Sequence, residues 1–127
     1  MGVREMKRET WKKIGSSKTG RRVYYVSDLG RCKSVDTVTG DERITLGYKN
    51  NRTGYLTYCG GQYVHRLVAR VFLPPPEEGQ TEIDHRDSIR NNNTASNLRW
   101  ISVAANRRTK HKRTAQRVNH RSTPHKG

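Results

Sequence analysis

The sequence predicts a small α+β protein: an N-terminal antiparallel β-sheet with a helix, then a strand–loop–strand–helix unit, then a basic C-terminal tail. Three observations predict it. Short β-branched and aromatic runs, separated by turns containing Gly and Asp, fill residues 23–58. A single apolar stripe at helical spacing follows at Val64, Leu67, Val68, Val71 and Phe72. Beyond three prolines, two short apolar runs flank an Asn-rich stretch that carries Asp84, His85, Asn97 and Asn106.

Residues 1–10 mix charges and are expected to be loose, with Trp11 and Ile14 as the first anchors into a core. Val23-Tyr24-Tyr25-Val26 reads as a strand, because branched and aromatic side chains suit a pleated, half-buried surface. Asp28-Leu29-Gly30 supplies a turn. Arg31-Cys32-Lys33-Ser34-Val35 then returns with apolar and basic residues alternating, which predicts a hairpin with one basic face. Thr39-Gly40-Asp41 marks a further turn. Arg43-Ile44-Thr45-Leu46 and Tyr55-Leu56-Thr57-Tyr58 are two more short strands, joined by a polar loop with Lys49, Asn50, Asn51 and Arg52, and Gly60-Gly61 breaks the pattern. The helix from Val64 stops before Pro74-Pro75-Pro76, since proline lacks a backbone donor and restricts the residue preceding it. A polar linker leads to a strand near Glu82 to Asp84, a long loop, and a second strand near Leu98 to Ile101. Ser102 is placed to cap a helix that begins at Val103. From Arg107 to the end there are eight Lys or Arg and no Asp or Glu, which predicts a tail helical at its start and disordered beyond.

A length of 127 residues suits one domain or two very small ones. Only 31% are hydrophobic, so the core must be small. The 26 Lys and Arg leave a net charge of +15, which calls for a polyanionic partner. Nucleic acid fits that charge better than a membrane, because the chain has no long apolar stretch and no basic helix with a broad apolar face. No apolar run follows the charged N-terminus, so no signal peptide and a cytoplasmic location are expected. Cys32 and Cys59 lie too far apart for a zinc knuckle and read as buried or half-buried small hydrophobes in a reducing compartment.

The chemistry concentrates between Glu82 and Asn106. Asp84 offers a hard anionic oxygen and Asn106 a neutral one from a first helical turn, a pair that suits Mg²⁺ or Mn²⁺ rather than zinc. Such an ion would polarise a phosphoryl oxygen and stabilise a leaving 3′ oxygen. An imidazole with an ordinary pKa of about 6.5 is mostly neutral at pH 7, so His85 can take a proton from the attacking water. Neighbouring strand residues point to opposite faces. Asp84 and His85 therefore share a site only if the strand ends or bulges at His85, and the polar run from Arg86 predicts that end. Asn97 reads as a brace for the loop backbone near His85, with Leu98 and Trp100 pinning the second strand. His65, at the start of an apolar-faced helix, reads as a structural hydrogen-bonding residue, with catalysis and a phosphate contact as the alternatives. Tyr24, Tyr25, Tyr55 and Tyr58 read as sheet core.

Val64-His65-Arg66-Leu67-Val68-Ala69, Asp84-His85, Asn91-Asn92, Asn97-Leu98-Arg99-Trp100 and Asn106 resemble the phage and intron-type HNH homing endonucleases. Glu9-Thr10-Trp11-Lys12-Lys13-Ile14 and Tyr24-Tyr25-Val26-Ser27-Asp28-Leu29-Gly30-Arg31 resemble the nuclease-associated modular DNA-binding motif that often precedes that nuclease. The resemblance spans residues 9–106. It implies a ββα-metal active site, one divalent ion and cleavage of DNA, with Asp84 and Asn106 as metal ligands, His85 as general base and Asn97 as the middle Asn. The third position is Asn106 rather than His, a variant of this family branch, and Ser88 stands where the family often has Gly.

On this reading residues 1–60 form a β-rich DNA-binding region, 61–112 the nuclease region with its preceding helix, and 113–127 a basic tail. Arg31, Lys33, Lys49 and Arg52 are expected to enter a groove, while Arg107, Arg108, Lys112, Arg113, Arg117 and Arg121 neutralise phosphates. Lys110 shares a helical face with Asn106 and is either a further phosphate contact or a solvated side chain. The expected function is a metal-dependent homing-type endonuclease acting on double-stranded DNA, free-standing or intron-encoded in a phage and hence working in the bacterial cytoplasm. As a monomer or weak dimer with one site per chain, it should nick. The alternative is a DNA-binding protein that no longer cuts, which would not need Asp84, His85 and Asn106. An RNA-binding role is weaker, because no stacking motif of the usual RNA modules is present.

Overall fold

The computed structural model describes residues 8–107, so Arg108, Lys110, Lys112, Arg113, Arg117 and Arg121 lie outside the described residues. The first sheet is antiparallel with strands in chain order: β1 (Trp11–Ser16), β2 (Arg22–Ser27), β3 (Cys32–Asp36) and β4 (Glu42–Thr45). Tight turns at Gly30 and Gly40, both with positive φ, join its hairpins. The local pattern does not reveal β1. Its pairing with β2 shifts register between Lys13 and Gly15, and that bulge erases the two-residue alternation by which a strand is read. Trp11 is half-buried and sits beneath Lys33, whose Nζ lies 4.4 Å from the ring centroid, so it does not anchor the core; Ile14 does pack there.

The strands at 43–46 and 55–58 fall into different sheets, and Gly47 explains the break. Its φ is +104°, and a Cβ there would come within 2.9 Å of the Thr57 carbonyl oxygen and 3.0 Å of Val64 Cγ2. The chain turns at this glycine into a second antiparallel sheet of β5 (Tyr48–Lys49), β6 (Leu56–Tyr58) and β7 (Gln62–Tyr63). Lys49 thus belongs to a strand, and Arg52 to the turn that follows.

β7 runs directly into α1 (Val64–Phe72), whose stripe is buried at Val64, His65, Leu67, Val68 and Ala69. Leu73 leaves the helix in an extended conformation while still donating its N–H to the Ala69 carbonyl at 3.1 Å, and the prolines then prevent continuation. Beyond the linker, β8 (Glu82–His85) pairs antiparallel with β9 (Leu98–Ile101), and a 3₁₀ turn (Ala95–Asn97) precedes β9. Residues 103–107 are helical. Ser102 caps them, its Oγ accepting the Ala105 N–H at 3.1 Å.

One apolar cluster joins all these parts: Val26 and Cys32 from the first sheet, Tyr58 from the second, Val64, Leu67, Val68 and Ala69 from α1, and Ile83 and Leu98 from the last hairpin. Burial, with Cys59 nearby, pushes the Cys32 thiol up to about 12, so it stays protonated as a small hydrophobe. Among the described residues no helix is long and apolar enough to cross a membrane.

Candidate active site

β8 ends on His85, and its register sets Asp84 opposite Arg99 and His85 opposite Leu98. Asp84 is only 2% exposed. Its Oδ2 accepts a hydrogen bond from Arg99 Nε at 3.0 Å and lies 2.9 Å from Nη2. Glu82, two positions earlier and so on the same side of the strand, accepts a hydrogen bond from Asn106 Nδ2. Arg99, Asp84, Glu82 and Asn106 therefore form a polar line from the hairpin to the following helix. The amide nitrogen of Asn106 is committed to a carboxylate, which leaves its oxygen as the atom that can face a cation. Sequence reasoning missed Glu82; the available signal is its spacing of two from Asp84 in a strand.

His85 meets different neighbours. It is 5% exposed, and its Nε2 lies 2.8 Å from Asn93 Oδ1. The ring stacks on Tyr55 at 5.8 Å and meets His65 edge-on at 5.1 Å. His65 in turn lies against Tyr55 and Tyr63, at 4.8 and 5.4 Å. Burial, with smaller effects from His85 and Arg66, lowers its pKa to about 3, so it is neutral. Its Nδ1 has no hydrogen-bond partner among the described residues. His65 is therefore a buried ring in an aromatic wall, neither hydrogen-bonded at Nδ1 nor placed for a phosphate contact. Tyr55 belongs to the same wall, and Tyr25 lies under Lys33, whereas Tyr24 and Tyr58 pack edge-to-face at the core.

Asn97 ties the loop after His85 together. Its Oδ1 accepts the Asp87 N–H at 3.2 Å, and its Nδ2 donates to the Asn92 carbonyl at 2.8 Å and to Asp87 Oδ1 at 3.0 Å. Its own carbonyl accepts the Arg86 N–H at 2.8 Å. The Asn92 amide, then the Ile89 N–H, lead the hydrogen bonds that hold the Asp87 carboxyl below its ordinary range. Ser88 adopts a φ of +67°, the left-handed region that favours glycine, and its N–H donates to the His85 carbonyl at 2.8 Å.

Among the described residues no group of three or more His, Cys, Asp or Glu could hold a metal ion. Asp84 and Asn106 are oxygen donors, the kind that suits a hard divalent cation, and Glu82 is a third.

Some of the basic side chains expected to meet DNA also have partners within the chain. Arg31 is paired with Glu9 and lies over Trp11, and Lys33 is held over Trp11 and Tyr25 with Glu42 at 3.9 Å. Both already serve the outer face of the first sheet. Arg22 and Arg43 instead line a cleft of about 650 Å³ with Tyr24, Ser34, Tyr48 and Tyr58. Arg22 Nη1 donates to Ser34 Oγ at 3.3 Å, and neither arginine has a carboxylate partner among the described residues. Lys49, Arg52 and Arg107 are exposed.

Residues 9–61 match the NUMOD4 motif, and residues 62–108 match the HNH endonuclease family. The DNA endonuclease I-HmuI of Bacillus phage SP01 is 34% identical over 90 residues, 65% of this chain and 48% of that protein. The chain thus spans about half the length of this curated relative. A solved structure describing DNA binding and cleavage by the HNH homing endonuclease I-HmuI matches with a TM-score of 0.55 at 29% identity, covering 86% of this chain and 65% of that one. The two family matches adjoin in this order, and the chain is similar in sequence and fold to an HNH homing endonuclease.

Proposed function

We propose that this protein is a metal-dependent, homing-type DNA endonuclease that hydrolyses one phosphodiester of double-stranded DNA, using Asp84 and Asn106 to hold a single Mg²⁺ or Mn²⁺ and His85 as general base. The observation that carries the reading is the polar line Arg99–Asp84–Glu82–Asn106 beside a strand that ends on His85. Arg99 holds the buried Asp84 carboxylate in place, and Glu82 turns the Asn106 amide so that its oxygen is presented. When bound, the cation supplies charge stabilisation at the phosphoryl and leaving 3′ oxygens. His85 accepts the proton of the attacking water, and the Asn97 brace fixes the loop that follows it.

Residues 1–60 act as the DNA-binding region, 61–112 as the nuclease and 113–127 as a basic tail. Arg31, Lys33, Lys49 and Arg52 face the DNA groove, and Arg107, Arg108, Lys110, Lys112 and Arg113 contribute phosphate contacts. With one such site per chain, a monomer nicks one strand. The test is supercoiled plasmid carrying the target, incubated with Mg²⁺ or with a chelator, with wild type and Asp84→Asn. Nicked circles form only with Mg²⁺, and the variant loses about 100-fold or more in rate while still retaining DNA on a filter. Equal nicking by Asp84→Asn removes Asp84 from the site. No nicking by wild type while it binds DNA identifies a binding protein that does not cut.

A further inference from the structure

We propose that Asn93 is a positioning residue that fixes the tautomer of His85, and that the Asp28–Gly30 turn of the N-terminal sheet holds Asn93 in place. The proposal rests on His85 being the general base.

Asn93 is 3% exposed, and its Oδ1 lies 2.8 Å from His85 Nε2. A carboxamide oxygen only accepts, so Nε2 of a neutral His85 carries the proton. The lone pair then resides on Nδ1, which is the atom that takes the proton from water. Asn93 Nδ2 is buried and has no hydrogen-bond partner among the described residues. Burying that donor without a bond is unfavourable, so the side chain is held for the bond at its other end.

The clamp comes from the NUMOD4 part of the chain. Gly30, at φ +84°, packs so closely on Asn93 that an added Cβ would come 2.7 Å from its carbonyl carbon and 2.9 Å from its oxygen. The Ala95 N–H donates to the Asp28 carbonyl at 2.8 Å, and Thr94 Oγ1 donates to the Leu29 carbonyl at 3.5 Å. Asp28 is itself tied to the segment leading into β1, accepting the Thr10 N–H on Oδ1 at 2.9 Å and donating its own N–H to the Thr10 carbonyl at 3.1 Å. A shift of this turn therefore moves the segment 93–95, and through Asn93 it moves the imidazole. The N-terminal sheet is by this route part of the support of the general base.

The test is ¹⁵N NMR of the full chain labelled at histidine, in mildly alkaline buffer, with the His85 signals assigned by their disappearance in His85→Gln. Wild type shows His85 protonated on Nε2. Asn93→Leu, which keeps the branching at Cγ but removes the acceptor, gives a mixture of tautomers, and plasmid nicking slows by about 10- to 100-fold. Gly30→Ala moves the same His85 signals in the same direction, although it lies outside the nuclease segment. A wild-type His85 protonated on Nδ1 overturns the proposal, and that reading does not depend on Asn93→Leu or Gly30→Ala folding. Unchanged His85 signals in Asn93→Leu also overturn it. Because the tautomer is read without cation or DNA, failure of this proposal is distinguishable from failure of the endonuclease reading, which shows itself as absence of nicking.

Discussion

Replacing Leu67 with alanine tests whether one core joins the NUMOD4 sheets to the nuclease hairpin. Leu67 is 1% exposed on α1 and belongs to the cluster that runs from Val26 and Cys32 to Ile83 and Leu98. Losing its isopropyl group forfeits roughly 2.4 kcal/mol of transfer free energy, at about 0.8 kcal/mol per buried carbon. The cavity left behind raises this to about 3–4 kcal/mol, inside the range of about 2.7–5 kcal/mol seen for buried leucines. With a urea slope of about 1 kcal/mol per molar for a domain of this size, the midpoint falls by about 3 M. The chain has two tryptophans, Trp11 on β1 and Trp100 on β9, so fluorescence in Trp100→Phe and Trp11→Phe backgrounds reads the two ends separately. Both ends share one midpoint before the substitution, and both fall together after it. A destabilisation below about 1 kcal/mol, or a fall confined to Trp100, refutes the shared core.

Three further outcomes follow from particular side chains. Hydrogen bonds from Arg21 and from the Thr39 and Val38 N–H groups hold the Asp36 carboxyl well below its ordinary 3.8. A depressed folded value means stability that is fully present above pH 3.8 and lost as pH falls from there through the folded value. Asp36→Asn should therefore lower the urea midpoint at neutral pH and converge with wild type in strong acid, and a gap that ignores pH contradicts the linkage. Glu82→Ala should weaken Mn²⁺ binding in the DNA complex by about 10- to 100-fold, read by electron paramagnetic resonance, with Glu82→Gln milder because it still accepts from Asn106; unchanged affinity in the alanine variant sinks the role given to Glu82. Arg43→Gln should lower DNA affinity and flatten the slope of log affinity against log salt by about 0.9 for each phosphate that is no longer neutralised. Lys33→Gln should change the slope less, since its charge already faces Trp11 and Glu42; equal effects would show that the cleft holds no privileged position.

Much of the scaffold is legible in the sequence because its determinants are local. A run of branched and aromatic residues marks β2, alternation marks β3, a helical stripe marks α1, the prolines mark its end, and Ser102 marks the next helix start. The hydrogen bonds of Asn97 also agree with a brace read from its position alone. What stays hidden depends on separations that local pattern does not encode. The bulge in β1 removes its alternation, and a single glycine at 47 divides strands that look contiguous. Three asparagines in a row, Asn91 to Asn93, are equivalent in sequence, and only the approach of Gly30 and of His85 distinguishes the last of them. The partner of Asp84 follows from a register set across a twelve-residue loop, residues 86–97, which no turn rule fixes. The pairing of Arg31 with Glu9 and of Lys33 with Glu42 joins separate segments and is likewise hidden from local pattern.

The central claim is that His85 does chemistry and does not merely support the fold. It is tested most directly by single-turnover nicking of a plasmid carrying the target, with enzyme in excess, comparing wild type and His85→Ala, and with DNA binding and the urea midpoint measured on the same preparations. The expected result is a fall in nicking rate of about 100-fold or more with DNA affinity unchanged. Nicking by His85→Ala at the wild-type rate, or a loss that only follows weakened DNA binding, would contradict it.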